Sequence, residues 1–269
     1  MYPFSLFELG ERTNLGSALQ WGTLPLVIRD LTQARETLAS HLETYLREEI
    51  KAEAIVRRLE EFSRFLEIAG QLNGQVLSFK NISRETGKSG PTTREWYGIL
   101  EDTLMGYLIP PYRPGLKVRE AGHPKFYWCD AGVARAAGGL IREEVDHSWL
   151  GFALENLVLN ELLVYNESSR KLRPISYYAV PGAGEIDFVV TVRKKTIQHP
   201  DRFITIEVKL SDRWKESFES PARALKAVAK DRHVRMIGVY TGKEPLLRHG
   251  YEIYPVMEFI SKLHNNEIF

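Results

Sequence analysis

The chain has a single cysteine, Cys129, among its 269 residues, so it cannot form an internal disulfide bond. The aromatic, strand-like run around Cys129 favours a buried thiol over a nucleophile. Positive and negative side chains nearly cancel, with 36 Lys and Arg against 35 Asp and Glu, so net charge gives no strong argument for nucleic acid as a partner. The sequence shows no signal-peptide pattern and no apolar run of membrane-spanning length. We therefore expect a cytoplasmic protein that does not contact a membrane.

The sequence also lacks the motifs of zinc sites and nucleotide sites. Its seven histidines are scattered without an H-x-x-x-H or C-x-x-C pattern, which argues against zinc. One segment resembles a phosphate-binding loop, Gly87-Lys88-Ser89, but Ile82 stands where the motif needs its first glycine, and no clear strand precedes it. We interpret this segment as a simple turn. ATP hydrolysis by this chain alone is therefore not expected.

An E-x-K pair on an apolar strand is the most informative pattern that is present. Residues 202–210 are dominated by β-branched and aliphatic side chains and end at a polar break, which predicts a strand. Because side chains alternate between the two faces of a strand, Glu207 and Lys209 project from the same face. The carboxylate and the amine are therefore expected to lie side by side.

A second carboxylate is expected beside this pair. Residues 186–192 form another apolar run, which predicts a neighbouring strand with Asp187 near its start. A hairpin would bring Asp187 close to Glu207, and two close carboxylates repel unless a cation such as Mg²⁺ lies between them. Lys209 could then orient the attacking water or stabilise charge on a phosphate. The alternative is an ordinary ion pair of Glu207 and Lys209 on an edge strand.

A third acid lies on a helix that is apolar nearly all round. Residues 151–165 have the composition of a buried helix, and Glu155 falls among its leucines. A buried carboxylate is costly unless it is paired or bound to a metal. Glu161 on the same helix could be the functional acid instead. For either residue, the alternative is a salt bridge to Arg or Lys of a neighbouring element.

A helical glutamate, a strand aspartate and a strand E-x-K together resemble the PD-(D/E)xK nuclease superfamily. More specifically, the strings at 152–156, 184–188 and 206–209 resemble DUF4143, a C-terminal domain of unknown function in many prokaryotic AAA-type ATPases. The resemblance implies a mixed sheet flanked by helices. It also implies that Asp187, Glu207 and Glu155 hold Mg²⁺ or Mn²⁺ and that Lys209 acts on the water.

The resemblance extends over almost the whole chain. The string at 3–9 is similar to the end of the ATPase module in those proteins, and 125–133 is similar to the strand that leads from a winged helix into the nuclease-like domain. We therefore expect an α/β protein that lacks the ATPase core, as a truncated gene or as a subunit that works with a separate ATPase. Three domains are predicted: a helical remnant of the ATPase lid at 1–50, a winged helix-turn-helix at 51–146 and the nuclease-like domain at 147–269.

The middle of the chain has the pattern of a helix-turn-helix. Helical periodicity runs from about 40 to 70, and two further helical stretches, 79–87 and 91–101, flank a glycine-containing turn. In a DNA reader, residues at the start of the second helix meet the bases. Here those would be Thr92, Thr93 and Arg94, with Lys88 near the backbone and Lys117 and Arg119 on a wing. Seven basic residues against five acidic ones in 75–120 are few for a DNA reader, so we favour an inter-domain adaptor.

Later segments complete the predicted α/β layer. A helix is expected at 221–230, with Arg223, Lys226 and Lys230 on one side. These side chains could touch phosphates, but we favour a solvated helix face. Strands are expected at 236–241 and 251–256. Two hypotheses for function follow. The first is a Mg²⁺-dependent phosphodiesterase that cuts DNA or RNA. The second is a non-catalytic subunit that binds nucleic acid or a protein partner.

Overall fold

A computed structural model of the protein describes residues 3–10, 14–51, 59–113, 122–180 and 184–269. Their contacts divide the chain into two compact units. The first unit consists of residues 1–108 and 123–160, and the second consists of residues 109–122 and 161–269. None of the described helices is long and apolar enough to cross a membrane.

The first unit is mostly helical. Its helices are α1 (Leu6–Leu9), α2 (Leu15–Trp21), α3 (Pro25–Arg29), α4 (Ala34–Thr44), α5 (Leu59–Gln71), α6 (Phe79–Thr86), α7 (Gly90–Asp102), α8 (Ala131–Ala137) and the first part of α9 (His147–Ser168). A π-helical segment, Tyr45–Lys51, continues from α4. The strands β1 (Gly106–Ile109) and β2 (Lys125–Trp128) form a two-stranded sheet.

Aromatic rings form the centre of the first unit. Phe65 of α5 contacts Trp96 and Tyr97 of α7, with ring centroids 5.2 and 4.9 Å apart, and Tyr97 contacts Phe126 of β2 at 4.9 Å. These side chains are almost completely buried. Packed aromatic rings of this kind contribute large apolar areas to a core.

The predicted pair of helices is confirmed as α6 and α7, and Gly87-Lys88-Ser89 is the turn between them. Gly87 has a left-handed backbone (φ 67°) at the end of α6, and the Ser89 hydroxyl accepts a hydrogen bond from the Thr92 N–H at the start of α7. This is the conformation that glycine allows at a helix C-terminus. The predicted wing residues Lys117 and Arg119 lie outside the described residues.

The second unit is built on a six-stranded mixed sheet in the order β3-β4-β5-β6-β8-β7. The strands are β3 (Ile175–Val180), β4 (Gly184–Arg193), β5 (Arg202–Lys209), β6 (His233–Tyr240), β7 (Leu246–Arg248) and β8 (Tyr251–Pro255). The strands β3, β4 and β5 are successively antiparallel, which confirms the predicted hairpin, whereas β5, β6 and β8 are parallel. Helices α10 (Ser220–Ala229) and α11 (Val256–His264) pack on the sheet.

Strand register defines two rows of side chains on one face of this sheet. Glu207 is opposite Gly238, which is opposite Ile253, and Thr205 is opposite Met236, which is opposite Tyr251. Aligned residues of neighbouring strands point to the same face. On this face the apolar side of α10, through Ala222, Leu225 and Ala229, packs in one core with Met236, Tyr251 and Ile253.

Candidate functional site

Asp187, Glu207 and Lys209 meet at the end of β5, as the sequence predicts. The Lys209 Nζ lies 2.5 Å from Glu207 Oε1 and 3.6 Å from Asp187 Oδ2. Both carboxylate residues are buried, with 4% and 3% of their surface exposed, whereas the lysine side chain is 28% exposed. The ammonium group of Lys209 therefore lies on the solvent side of two buried carboxylates.

The pairing of β4 and β5 explains why these groups converge. Their ladder ends with Phe188 opposite Ile206, so Asp187 and Glu207 each stand one residue beyond the last pair. The Val208 N–H donates a hydrogen bond to Asp187 Oδ2 at 2.7 Å. The Asp187 side chain thus takes the place of a main-chain acceptor at this edge, which fixes its carboxylate beside Glu207.

The donor set formed by these residues suits a hard cation. Mg²⁺ is commonly held by one or two carboxylates, while water and substrate phosphate fill its other positions. Within the described ranges, no group of three or more His, Cys, Asp or Glu side chains could hold a metal ion. A cation at this site would thus have Asp187 and Glu207 as its ligands from the second unit.

Glu155 belongs to the first unit, where it already has partners. The Tyr127 hydroxyl donates a hydrogen bond to Glu155 Oε2 at 3.0 Å, and Lys125 Nζ lies 3.6 Å from the same oxygen. This is the salt bridge that the sequence left open as an alternative. Glu161 is buried and lies 3.0 Å from His264 Nε2 in the second unit. The role of Glu155 as a third metal ligand stays a prediction.

Two family models, both of domains of unknown function, match parts of the chain. Residues 150–259 match the family model DUF4143. The resemblance stated from the sequence is thereby confirmed for this region. Residues 12–144 match a second model, DUF8612, which the sequence reasoning did not predict. Comparisons with curated proteins and with solved structures give no match.

Within the DUF4143 region, a buried acid that the sequence did not single out lies on the α10 face of the sheet. Glu219 is 0% exposed and accepts hydrogen bonds from Trp214 Nε1 at 3.2 Å and from Arg223 Nε at 3.1 Å. Arg248 Nε is 3.9 Å from Glu219 Oε1, the oxygen that accepts from Trp214, whereas Arg223 donates to Oε2. Arg223 was predicted on a solvated helix face, and in sequence the Glu219–Arg223 spacing looks like an ordinary surface pair.

Trp214 and Tyr251 of the DUF4143 region form the wall beside the two acids. The indole of Trp214 lies directly over Gly238, where an added Cβ would come within 2.4 Å of it. The Trp214 and Tyr251 ring centroids are 5.8 Å apart. Burial, followed by the charges of Glu207, Asp187 and Glu219, raises the pKa of the Tyr251 hydroxyl. This hydroxyl therefore lies in the field of the candidate site and stays protonated at neutral pH.

The predicted nucleic-acid contacts on α7 are largely engaged within the first unit. Thr93 is fully buried and its hydroxyl donates to the Ser89 carbonyl at 3.1 Å, so the prediction of Thr93 as a base contact is corrected to a packing role. The Arg94 guanidinium stacks 4.5 Å from the Phe79 ring. Lys88 Nζ pairs with Glu61 at 2.5 Å, and the Thr92 hydroxyl shares a 2.8 Å hydrogen bond with Ser89.

Proposed function

We propose that the second unit is a Mg²⁺- or Mn²⁺-dependent phosphodiesterase of the PD-(D/E)xK type that acts on DNA or RNA. One observation carries this proposal: two buried carboxylates, Asp187 and Glu207, converge on the ammonium group of Lys209 at one sheet edge. The alternative of an ion pair on an edge strand does not apply, because β5 lies between β4 and β6 in the sheet. Carboxylate pairs in such surroundings are typical of functional sites.

Each residue has a distinct task in this proposal. Asp187 and Glu207 would hold the divalent cation, and the Val208 N–H keeps the Asp187 carboxylate oriented. When bound, the cation would lower the pKa of water and neutralise charge on the phosphate. Lys209 is partly exposed and keeps its ammonium beside both acids, so it can meet the phosphate and stabilise the charge that develops during attack.

A cleavage assay tests the proposal. Labelled single- and double-stranded DNA and RNA would be incubated with Mg²⁺, Mn²⁺ or a chelator. The wild-type protein is expected to cleave at least one of them in a metal-dependent manner, and Asp187→Asn, Glu207→Gln and Lys209→Met are expected to abolish cleavage. Glu216→Gln, at an exposed acid before α10, is the matched control. Absence of cleavage by the wild-type protein, or cleavage that survives Lys209→Met, contradicts the proposal.

The same assay tests Glu155 separately. Glu155→Gln should reduce cleavage strongly if this residue completes the cation site, as the resemblance implies. Unchanged cleavage would instead assign Glu155 to its hydrogen bond with Tyr127 and its ion pair with Lys125.

A non-catalytic role is the second candidate, and a specific observation favours it. Lys209 pairs with both buried acids, as it would in a purely structural cluster of ion pairs. In this reading the chain is an adaptor that binds nucleic acid or a partner such as a separate ATPase subunit. A wild-type protein that binds no divalent cation and cleaves nothing would support it.

A further inference from the structure

The hydroxyl of Tyr251 is buried in an unusual state. The residue is 0% exposed, and within the part of the chain that the structure describes its hydroxyl has no hydrogen-bond partner. Two other tyrosines of the same sheet do have hydrogen-bond partners. The Tyr240 hydroxyl donates to the Glu244 carbonyl at 2.5 Å, and the Tyr254 hydroxyl donates to Glu252 at 2.8 Å. A buried hydroxyl without a partner is unfavourable and rare, so it calls for an explanation.

The surroundings of this hydroxyl point to the candidate site. Tyr251 stands on the same sheet face as Glu207, one row further along, and Trp214 covers both the ring and the gap at Gly238. Of the charged groups that affect the pKa of this hydroxyl, Glu207 raises it most, and Asp187 follows. The protonated phenol of Tyr251 can donate a hydrogen bond to a carboxylate that comes within hydrogen-bonding distance of it.

The Lys209 ammonium now holds the Glu207 carboxylate at 2.5 Å. A divalent cation bound by Asp187 and Glu207 would compete with that ammonium for the same oxygens. Carboxylates that bind a metal are themselves usually fixed by hydrogen bonds from neighbouring groups, and the loss of such a partner weakens metal binding. Tyr251 is a donor on the same face of the sheet, and its hydroxyl has no acceptor among the described residues.

We propose that Tyr251 is a positioning residue for the cation site: its hydroxyl donates a hydrogen bond to the Glu207 carboxylate when a divalent cation replaces Lys209 beside it. The inference rests on the proposed function, because it requires a cation at Asp187 and Glu207. Tyr251 would therefore strengthen cation binding. When no cation is bound, its buried hydroxyl would lower the stability of the protein.

The test compares two tyrosine-to-phenylalanine variants. Tyr251→Phe removes the hydroxyl at the site, and Tyr97→Phe removes another buried hydroxyl that lacks a partner among the described residues but lies in the aromatic core of the first unit. Thermal unfolding in chelator measures the stability of the cation-free protein. Calorimetric titration with Mn²⁺ measures affinity. The two readouts do not depend on activity.

Both variants are expected to unfold at the same temperature as the wild-type protein or higher in chelator. The Mn²⁺ Kd should rise about tenfold or more for Tyr251→Phe and stay unchanged for Tyr97→Phe. An unchanged Kd in Tyr251→Phe, or a clear loss of its stability in chelator, overturns the inference and leaves the proposed function standing. A wild-type protein that binds no Mn²⁺ overturns both.

Discussion

At the scale of single residues, the state of the Lys209 ammonium decides how the two buried acids are tolerated. Asp187 and Glu207 are nearly inaccessible to solvent, and a buried carboxylate pair without a cation is strongly unfavourable. Lys209 supplies a positive charge beside both acids. The same side chain that serves the proposed chemistry therefore also stabilises the fold.

Replacement of this lysine should expose that dependence. Lys209→Met is expected to lower the free energy of unfolding by roughly 3 kcal/mol in chelator, because it leaves buried charges unpaired. Millimolar Mg²⁺ or Mn²⁺ should restore part of this loss. Urea denaturation with and without metal measures both effects. The control is Lys262→Met, which removes a surface pair with Glu267 and should lower the free energy of unfolding much less. Equal losses in the two variants would contradict the prediction.

The buried histidine of β6 should make stability depend on pH. Burial lowers the pKa of His233 from its ordinary 6.5 to about 4, while Lys226 lowers it slightly and a main-chain contact with Arg235 opposes the shift. Between pH 6.5 and 4 the unfolded chain binds more protons than the folded one. The stability that the neutral His233 contributes at pH 7 is therefore lost as pH falls from 6.5 towards 4. The loss amounts to at most ~3 kcal/mol.

Urea denaturation at pH 7 and at pH 4.5 measures this contribution. In the wild-type protein the His233 ring hydrogen-bonds Thr205 at 2.8 Å and stacks on Phe203. His233→Gln keeps a polar group and cannot gain a proton in this range, so its stability should fall less between the two pH values. The same pH dependence in both proteins would show that His233 does not titrate on unfolding.

Residue positions were predictable where strand alternation alone fixes them. Asp187, Glu207 and Lys209 follow from the period of two and from one hairpin, and the structure brings them together. The register of β8 places Tyr251 on the same sheet face as Glu207, and a turn before α10 carries the buried Glu219; no local sequence pattern predicts either position. Thr93 was assigned wrongly because the rotation of α7 places it in the core.

At the scale of elements, the loop after β5 is shaped by its fit to β6. Glu207, Gly238 and Ile253 are aligned across three neighbouring strands. Gly238 has no side chain, and the indole of Trp214 packs directly against it. The indole N–H then reaches Glu219 and ties the turn Glu216–Glu219 to the sheet. A glycine in a central strand thus marks close packing of a neighbour.

A methyl group at this glycine should displace the loop. Gly238→Ala places a Cβ 2.4 Å from the indole and is expected to cost about 1–3 kcal/mol of unfolding free energy through overpacking. Gly98→Ala on α7 is the matched control, because no atom lies within 4 Å of its added Cβ and alanine favours a helix, so it should stabilise by about 0.5–1 kcal/mol. Chemical denaturation measures both, and the same sign in both variants would contradict this account.

Long periodic segments were predicted well at this scale, and short ones were not. The apolar runs of β4, β5, β6 and β8 and the helices α6, α7, α9 and α10 have clear patterns and are present. The predicted helix from 40 to 70 is instead α4, a π-helical segment and α5 where it is described, since hydrophobic spacing does not reveal a change of helix type. The three-residue strand β7 is too short for any periodic signal.

At the scale of the whole molecule, charge balance limits what the chain can bind without specific contacts. The net charge is +1, and Lys88 and Arg94, before and on α7, each contact a residue of the first unit. Because non-specific affinity for nucleic acid comes mainly from neutralised phosphates, such a surface releases few counterions. A substrate of the proposed site would therefore be recognised chiefly at the reacting phosphate.

Binding to duplex DNA should accordingly be weak. At about 150 mM salt the Kd for a DNA duplex that is protected from cleavage is expected to be about 10⁻⁵ M or higher. This Kd should depend only weakly on salt concentration. Arg94→Ala should leave it unchanged, because the guanidinium is stacked on Phe79. Fluorescence anisotropy across a salt series measures both. A nanomolar Kd that Arg94→Ala weakens would instead establish α7 as a DNA-reading helix.

The DUF4143 region was predictable from the resemblance, since residues 150–259 match that family model. The central claim for the molecule is that Asp187 and Glu207 share one divalent cation, and calorimetric titration with Mn²⁺ at neutral pH tests it most directly. We expect one binding site in the wild-type protein, its loss in both Asp187→Asn and Glu207→Gln, and its retention in Lys209→Met. Absence of binding by the wild-type protein, or unchanged binding when both acids are replaced, would contradict it.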